Sequence, residues 1–158
     1  DNGDQIVSII LTDNDKIGIA SAQGQFIMIK TDDIKPIGRV ARGVIGMKLN
    51  EGDEVVSAKV IGTEAKEIAS VSEDGYIKRS SISEFKITGR ATKGVKLQKV
   101  ENLCDFLPLY NDNDILVVSS AAQIRLKLSD VPILSRGAQG VKAIKLAENS
   151  KVMNLASL

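Results

Sequence analysis

The chain repeats itself, and that constrains its fold more than any other feature. The string Gly38-Arg39-Val40-Ala41-Arg42-Gly43-Val44 returns 51 positions later as Gly89-Arg90-Ala91-Thr92-Lys93-Gly94-Val95. It returns again, 46 further on, as Ser135-Arg136-Gly137-Ala138-Gln139-Gly140-Val141. The context repeats too: Gly24-Gln25-Phe26-Ile27 corresponds to Gly75-Tyr76-Ile77-Lys78, and alternating stretches (Ile45 to Leu49, Lys96 to Val100, Lys142 to Leu146) follow the three strings. A repeat of this length marks stacked units, because one unit alone cannot bury its apolar face.

Inside each unit the apolar period is two, which is the period of a half-buried strand. Lys16 to Ser21, a turn at Gln23-Gly24, then Phe26 to Ile29 read as a β-hairpin. So do Ile68 to Val71 and Tyr76 to Arg79 around Asp74-Gly75, and Ile115 to Ser119 with Ile124 to Leu128. The third hairpin has Ala121-Ala122 where the others have glycine, so its turn must avoid positive φ or carry strain. Glu54 to Val60 and Lys151 to Leu155 read as strands that close their units, and Asp4 to Leu11 matches that closing pattern. Four strands per unit give an all-β, propeller-like arc. The expected layout is an orphan closing strand at 1–12 and three four-stranded blades at 13–62, 63–110 and 111–158.

The formal charge of +1 hides a strong segregation. Residues 25–49, 76–100 and 123–146 together hold seventeen Lys/Arg against four Asp/Glu, a net +13, and the rest of the chain holds four against sixteen, a net −12. If the units are equivalent in space, the basic windows share one rim and the acidic turns another. A repeated basic stripe suits a polyanion. Three Phe, two Tyr and no Trp make a poor stacking platform for single strands, and no recognition-helix pattern is present. Sequence-indifferent phosphate contact with duplex DNA is what remains.

Catalysis finds little support. With no histidine there is no Ser-His-Asp triad, no His base and no Cys/His zinc site. Asp32-Asp33 and Glu73-Asp74 sit beside turn residues and read as solvated turn carboxylates. Cys104, the single cysteine, lies in the apolar run Leu103 to Leu109 and reads as packing. No cofactor, metal or membrane span is expected, and 158 residues suit one ordinary domain. Asp1-Asn2-Gly3-Asp4 lacks a signal-peptide pattern and reads as the start of a piece of a longer chain.

The strings around Gly38 to Val44, with Asp32 to Ile37 before and Glu51-Gly52-Asp53-Glu54-Val55-Val56 after, resemble the fourth blade of the gyrase A C-terminal β-pinwheel. The strings Asp74 to Arg79 and Gly89 to Val95 resemble the fifth blade, and residues 112–155 the sixth. The resemblance implies a DNA-wrapping module from the gyrase A polypeptide of an ATP-dependent type II topoisomerase, supporting supercoiling in the cytoplasm. The parent's implied partners are duplex DNA, the gyrase B subunit, and a second copy of gyrase A. The corresponding polypeptide of topoisomerase IV is the close alternative. The family's basic glycine-rich box and its breakage-reunion tyrosine have no counterpart here, so this segment is expected to do no chemistry.

The expected DNA contacts are Lys30, Arg39, Arg42, Lys78, Arg79, Arg90, Lys93, Arg125, Lys127 and Arg136, facing one rim. A propeller serving as a protein-interaction scaffold is the other class of function; it would show an apolar or aromatic patch instead of repeated cations. Two association states stay open. Open blade faces favour dimers, whereas an orphan strand folded back onto the last blade would leave a monomer.

Overall fold

The computed structural model describes residues 3–13 and 15–158; the reading of Asp1 and Asn2 as part of a cut end lies outside the described residues. Eleven strands and three single 3-10 turns make up the regular structure of the described residues. In chain order the strands are β1 (Lys16–Ser21), β2 (Gln25–Lys30), β3 (Val55–Ile61), β4 (Glu67–Ser72), β5 (Tyr76–Ser81) and β6 (Val95–Lys96). They continue as β7 (Leu103–Leu109), β8 (Ile115–Ser119), β9 (Gln123–Leu126), β10 (Val141–Lys142) and β11 (Val152–Ser157).

The three hairpins form where alternation placed them, as β1–β2, β4–β5 and β8–β9, all antiparallel. Each closing strand then pairs with the first strand of its own hairpin: β3 with β1, β7 with β4 and β11 with β8. At the third hairpin neither Ala121 nor Ala122 takes a positive φ, and Ser119 Oγ instead accepts from the amides of both. The turn avoids the strain.

The fourth strand of a sheet does not come from its own unit. β6 follows the second Gly-Arg turn yet pairs with β2, giving the order β3-β1-β2-β6; β10 likewise joins β5, giving β10-β5-β4-β7. Each unit therefore completes the sheet before it. The sheet β11-β8-β9 has three strands. Four-stranded blades built from contiguous residues are thus corrected to exchanged ones, and the strands expected at 45–49, 96–100 and 142–146 shrink. Only Val95–Lys96 and Val141–Lys142 remain as strands, and Met47 makes one isolated bridge to Thr92.

Asp4 to Leu11 forms no strand, which corrects both the orphan-strand expectation and its folded-back alternative. The observed closing strands all lie against their own hairpin. Ile6, Ile9 and Leu11 stay exposed, and Ser8 Oγ donates to Ala58 O at 2.9 Å.

The core is divided between sheets. Phe26 from β2 meets Phe85 and Phe106 edge-on, with centroids 5.1 and 5.2 Å apart, and these seal the first junction. The second junction is aliphatic, with Val71, Ile77, Ile115, Val117, Ile144 and Leu155 in one cluster. The closing strand β7 packs against both β3 and β11, so closing strands gather at the hub and the exchanged strands lie at the opposite edge of their sheets.

Candidate nucleic-acid interface

The second and third Gly-Arg turns are excursions from those outer edges. In the second unit the chain meets β2 at a Met28–Ile87 bridge, with Thr88 N donating to Met28 O, and returns at Phe26 opposite Val95. Residues 88–94 bulge out between these two points. The third turn does the same from β5: Leu134 N donates to Arg79 O, and Val141 returns opposite Ile77.

In the second and third turns the second glycine makes the close return feasible. Gly94 has φ +71° and a Cβ there would stand 2.1 Å from Phe26 O; Gly140 has φ +97° and its Cβ would stand 2.6 Å from Ile77 O. Any side chain would push the exchanged strand off its acceptor.

Each of these turns is bonded to the stretch that follows the turn before it. Lys48 N donates to Thr92 O at 2.9 Å, and one unit later Lys99 N donates to Ala138 O at 3.1 Å. Ala91 N of the second turn adds a 2.7 Å bond to Gly46 O, just after the first turn. The second and third turns are thereby each fastened to the unit before them.

The ten cations expected to face DNA fall into three groups. Lys30, Arg39, Arg42, Lys93 and Lys127 are exposed, Arg136 is half-buried, and the side chains of all six make no hydrogen bond or ion pair among the described residues. Arg125 is exposed and pairs with Asp114 Oδ2 at 2.7 Å.

The remaining three spend their charge inside the protein. Arg90 donates from Nε to Asp33 O at 2.8 Å and from Nη1 to Ile45 O at 3.0 Å, latching the second turn to residues that flank the first. Arg79 bonds Val131 O through Nε at 2.7 Å and Glu67 Oε2 through Nη1 at 2.8 Å. Lys78 is fully buried, with Nζ 2.5 Å from Ser80 Oγ and 3.2 Å from Ser135 O. Burial pushes its ammonium down to about 8, with Glu84 acting in the opposite direction. Lys78 and Arg79 therefore do not stand on the rim. Strand alternation set their direction, and a count of charges is blind to it.

The other sequence candidates are structural. Cys104 is half-buried, donates from Sγ to Val152 O at 3.2 Å, and has a thiol pushed up to about 12 by burial and then by Asp105. Asp32 and Asp33 sit exposed in the 3-10 turn Thr31–Asp33. Glu73 pairs with Lys151 at 3.0 Å, and Asp74 accepts from Ser72 Oγ. Among the described residues no group of three His, Cys, Asp or Glu could hold a metal, and no helix is long and apolar enough to cross a membrane.

Strand-exchanged antiparallel units with basic turns on the exchanged edges define a β-pinwheel, a variant of the propeller class. The family model described as the DNA gyrase C-terminal domain, beta-propeller, matches residues 15–61, 66–107 and 113–158, and the chain belongs to that family.

Gyrase A polypeptides are similar in sequence. That of Helicobacter pylori strain 26695 is 37% identical over 98% of this chain, and that of Staphylococcus epidermidis strain ATCC 12228 is 33% identical over 98%. The chain spans only 20% and 18% of their respective lengths. A solved gyrase A C-terminal domain superposes with a TM-score of 0.85 at 25% identity, covering 93% of this chain and 52% of that one. The topoisomerase IV C-terminal domain superposes at 0.89 with 24% identity, covering 99% and 51%, which is a likeness of fold.

Proposed function

We propose that this segment is the duplex-DNA-wrapping module of a gyrase A polypeptide, gripping phosphates without reading sequence and performing no chemistry itself. Its parent would be a cytoplasmic, ATP-dependent type II topoisomerase, built from two copies of gyrase A together with the gyrase B subunit. One observation carries the reading: the second and third Gly-Arg turns leave the outer edges of two successive sheets, and each is hydrogen-bonded to the stretch that follows the turn before it. The side chains of Lys30, Arg39, Arg42, Lys93, Lys127 and Arg136 make no hydrogen bond or ion pair among the described residues, so phosphates would meet no competitor from them. The likeness in fold to topoisomerase IV keeps that enzyme as the second reading of the parent.

Anisotropy of a labelled duplex titrated with the chain at several salt concentrations tests this. With six phosphates neutralised, log K falls against log[salt] with a slope of about −5. A flat response, or strong preference for one sequence, overturns the proposal.

A further inference from the structure

Aligning the three units column by column exposes two anomalies in the second. Lys78 occupies the column of Ile27 and Ile124, and Gln98 the column of Met47 and Ile144. Ile27, Met47 and Ile144 are buried and Ile124 is half-buried. Lys78 and Gln98 are both 0% exposed, so the second unit alone puts polar groups where its neighbours put aliphatic ones.

Both polar groups reach the same place. Lys78 Nζ donates to Ser135 O at 3.2 Å, and Gln98 Nε2 donates to Gln139 O at 2.6 Å and to Tyr76 O at 3.0 Å. Ser80, which accepts from Lys78, donates to Leu134 O at 2.8 Å, and Glu84 Oε2 accepts from Arg136 N at 2.9 Å. The third turn is thus held along its backbone by side chains of the preceding unit. The second turn is held differently, by its own Arg90 reaching back.

The clamped turn is also the divergent one. Ser135 stands where the other turns have Gly38 and Gly89, and Gln139 where they have Arg42 and Lys93. The two carbonyls that Lys78 and Gln98 bind belong to these two residues. With Gln139 uncharged, Arg136 is the only cation of the turn string, and its guanidinium makes no internal bond. One cation on a loose loop loses much of its binding energy to ordering, whereas a preset loop does not.

We propose that Lys78 and Gln98 are positioning residues: a buried polar clamp that presets the third turn so that Arg136 meets the phosphate backbone. The proposal rests on the DNA-wrapping reading. Burying a charge and an amide opposes folding, as the depressed Lys78 ammonium shows and as Gln98 Oε1, buried without a donor, shows again. Placing aliphatic residues in these columns would relieve that cost, so the clamp separates stability from binding.

The test is the double variant Lys78→Ile/Gln98→Met, which installs the first unit's own residues, compared with Arg136→Ala and the triple variant. The double variant is expected to melt at or above the wild-type temperature, and amides 135–139 exchange hydrogen faster while those of the second turn do not. Duplex affinity falls on the order of five- to ten-fold at 0.1 M salt, and the salt slope shrinks by about 0.9, as for one lost phosphate contact. Adding the double variant to Arg136→Ala brings no further loss of affinity, because the clamp acts through that arginine. Unchanged exchange at 135–139 overturns the clamp whether or not DNA binds. Wild-type affinity in the double variant, or an equal loss in the Arg136→Ala background, overturns its link to Arg136. Failure of the wild-type chain to bind duplex sinks the DNA reading separately, and the positioning role with it.

Discussion

Lys59 Nζ on β3 lies 2.8 Å from Asp105 Oδ2 on β7, and that carboxylate also receives Leu155 N of β11 at 3.0 Å. Its other oxygen accepts from Ser57 Oγ at 2.6 Å and from the Phe106 amide at 2.8 Å. One buried carboxylate with four donors therefore joins the closing strands of all three sheets. Asp105→Ala leaves the Ser57 hydroxyl and two buried amides short of an acceptor, an expected loss of about 3 kcal/mol in urea unfolding. Lys59 keeps 29% of its side chain in solvent, so Lys59→Ala should cost under about 1 kcal/mol. Equal losses for the two variants would show that the ion pair, and not the amide bonds, holds the hub.

Arg90 and Lys93 share one turn and should behave oppositely. Arg90→Ala removes two charge-assisted bonds to residues flanking the first turn and is expected to lower stability by about 1 kcal/mol, since both are exposed. Lys93 is exposed and makes no internal bond, so Lys93→Ala should stay within about 0.5 kcal/mol of wild type. Under the wrapping proposal Lys93→Ala instead weakens duplex binding and makes the salt slope shallower by about 0.9. Melting curves and anisotropy on the same two variants decide it.

That contrast also shows what the sequence made legible. Period-two alternation located the hairpins because strand pairing within a unit is local. The exchange of β6 and β10 was hidden, since Val95–Lys96 takes its partner from another unit and is too short to show a period. Among the ten cations, formal charge could not separate Lys93 from Lys78. A signal did exist: Lys78 shares its column with Ile27 and Ile124, and a polar residue in an apolar column points to a buried role.

Lys78 gives stability a pH dependence whose sign follows from its lowered pKa. The folded chain holds this proton only below about 8, while the unfolded chain holds it up to 10.5. Between these values the unfolded state binds more protons, so stability rises with pH across the window. Below about 8 the burial cost is fully present, on the order of 3 kcal/mol. Cys104, raised from 9.0 to about 12, has the opposite effect: its stabilisation is complete below 9.0 and fades as pH climbs toward 12. The difference between wild type and Lys78→Ile isolates the lysine. The variant should be the more stable at neutral pH, and its advantage should shrink steadily as pH rises from about 8 to 10.5. An advantage that does not change with pH would mean the ammonium titrates normally.

The same substitution at three equivalent glycines should give three different results. Gly43, Gly94 and Gly140 all have positive φ, at +87°, +71° and +97°, so alanine strains the backbone at each by about 1 kcal/mol. What a Cβ would meet separates them. At Gly43 nothing lies within 4 Å; at Gly140 the Cβ meets Ile77 O at 2.6 Å; at Gly94 it meets Phe26 O at 2.1 Å, with Ile27 Cγ2 at 2.5 Å. A backbone carbonyl cannot swing aside as a side-chain tip can, so the exchanged strand must lift. Gly94→Ala should therefore detach β6 from β2 and unfold at distinctly lower urea than Gly43→Ala, with Gly140→Ala between them. Hydrogen exchange should place the Gly94→Ala damage at Leu97 N, whose 2.8 Å bond to Gly24 O depends on β6 staying docked. Three equal losses would mean that backbone strain alone governs this position, and that strand exchange tolerates a side chain at the return point.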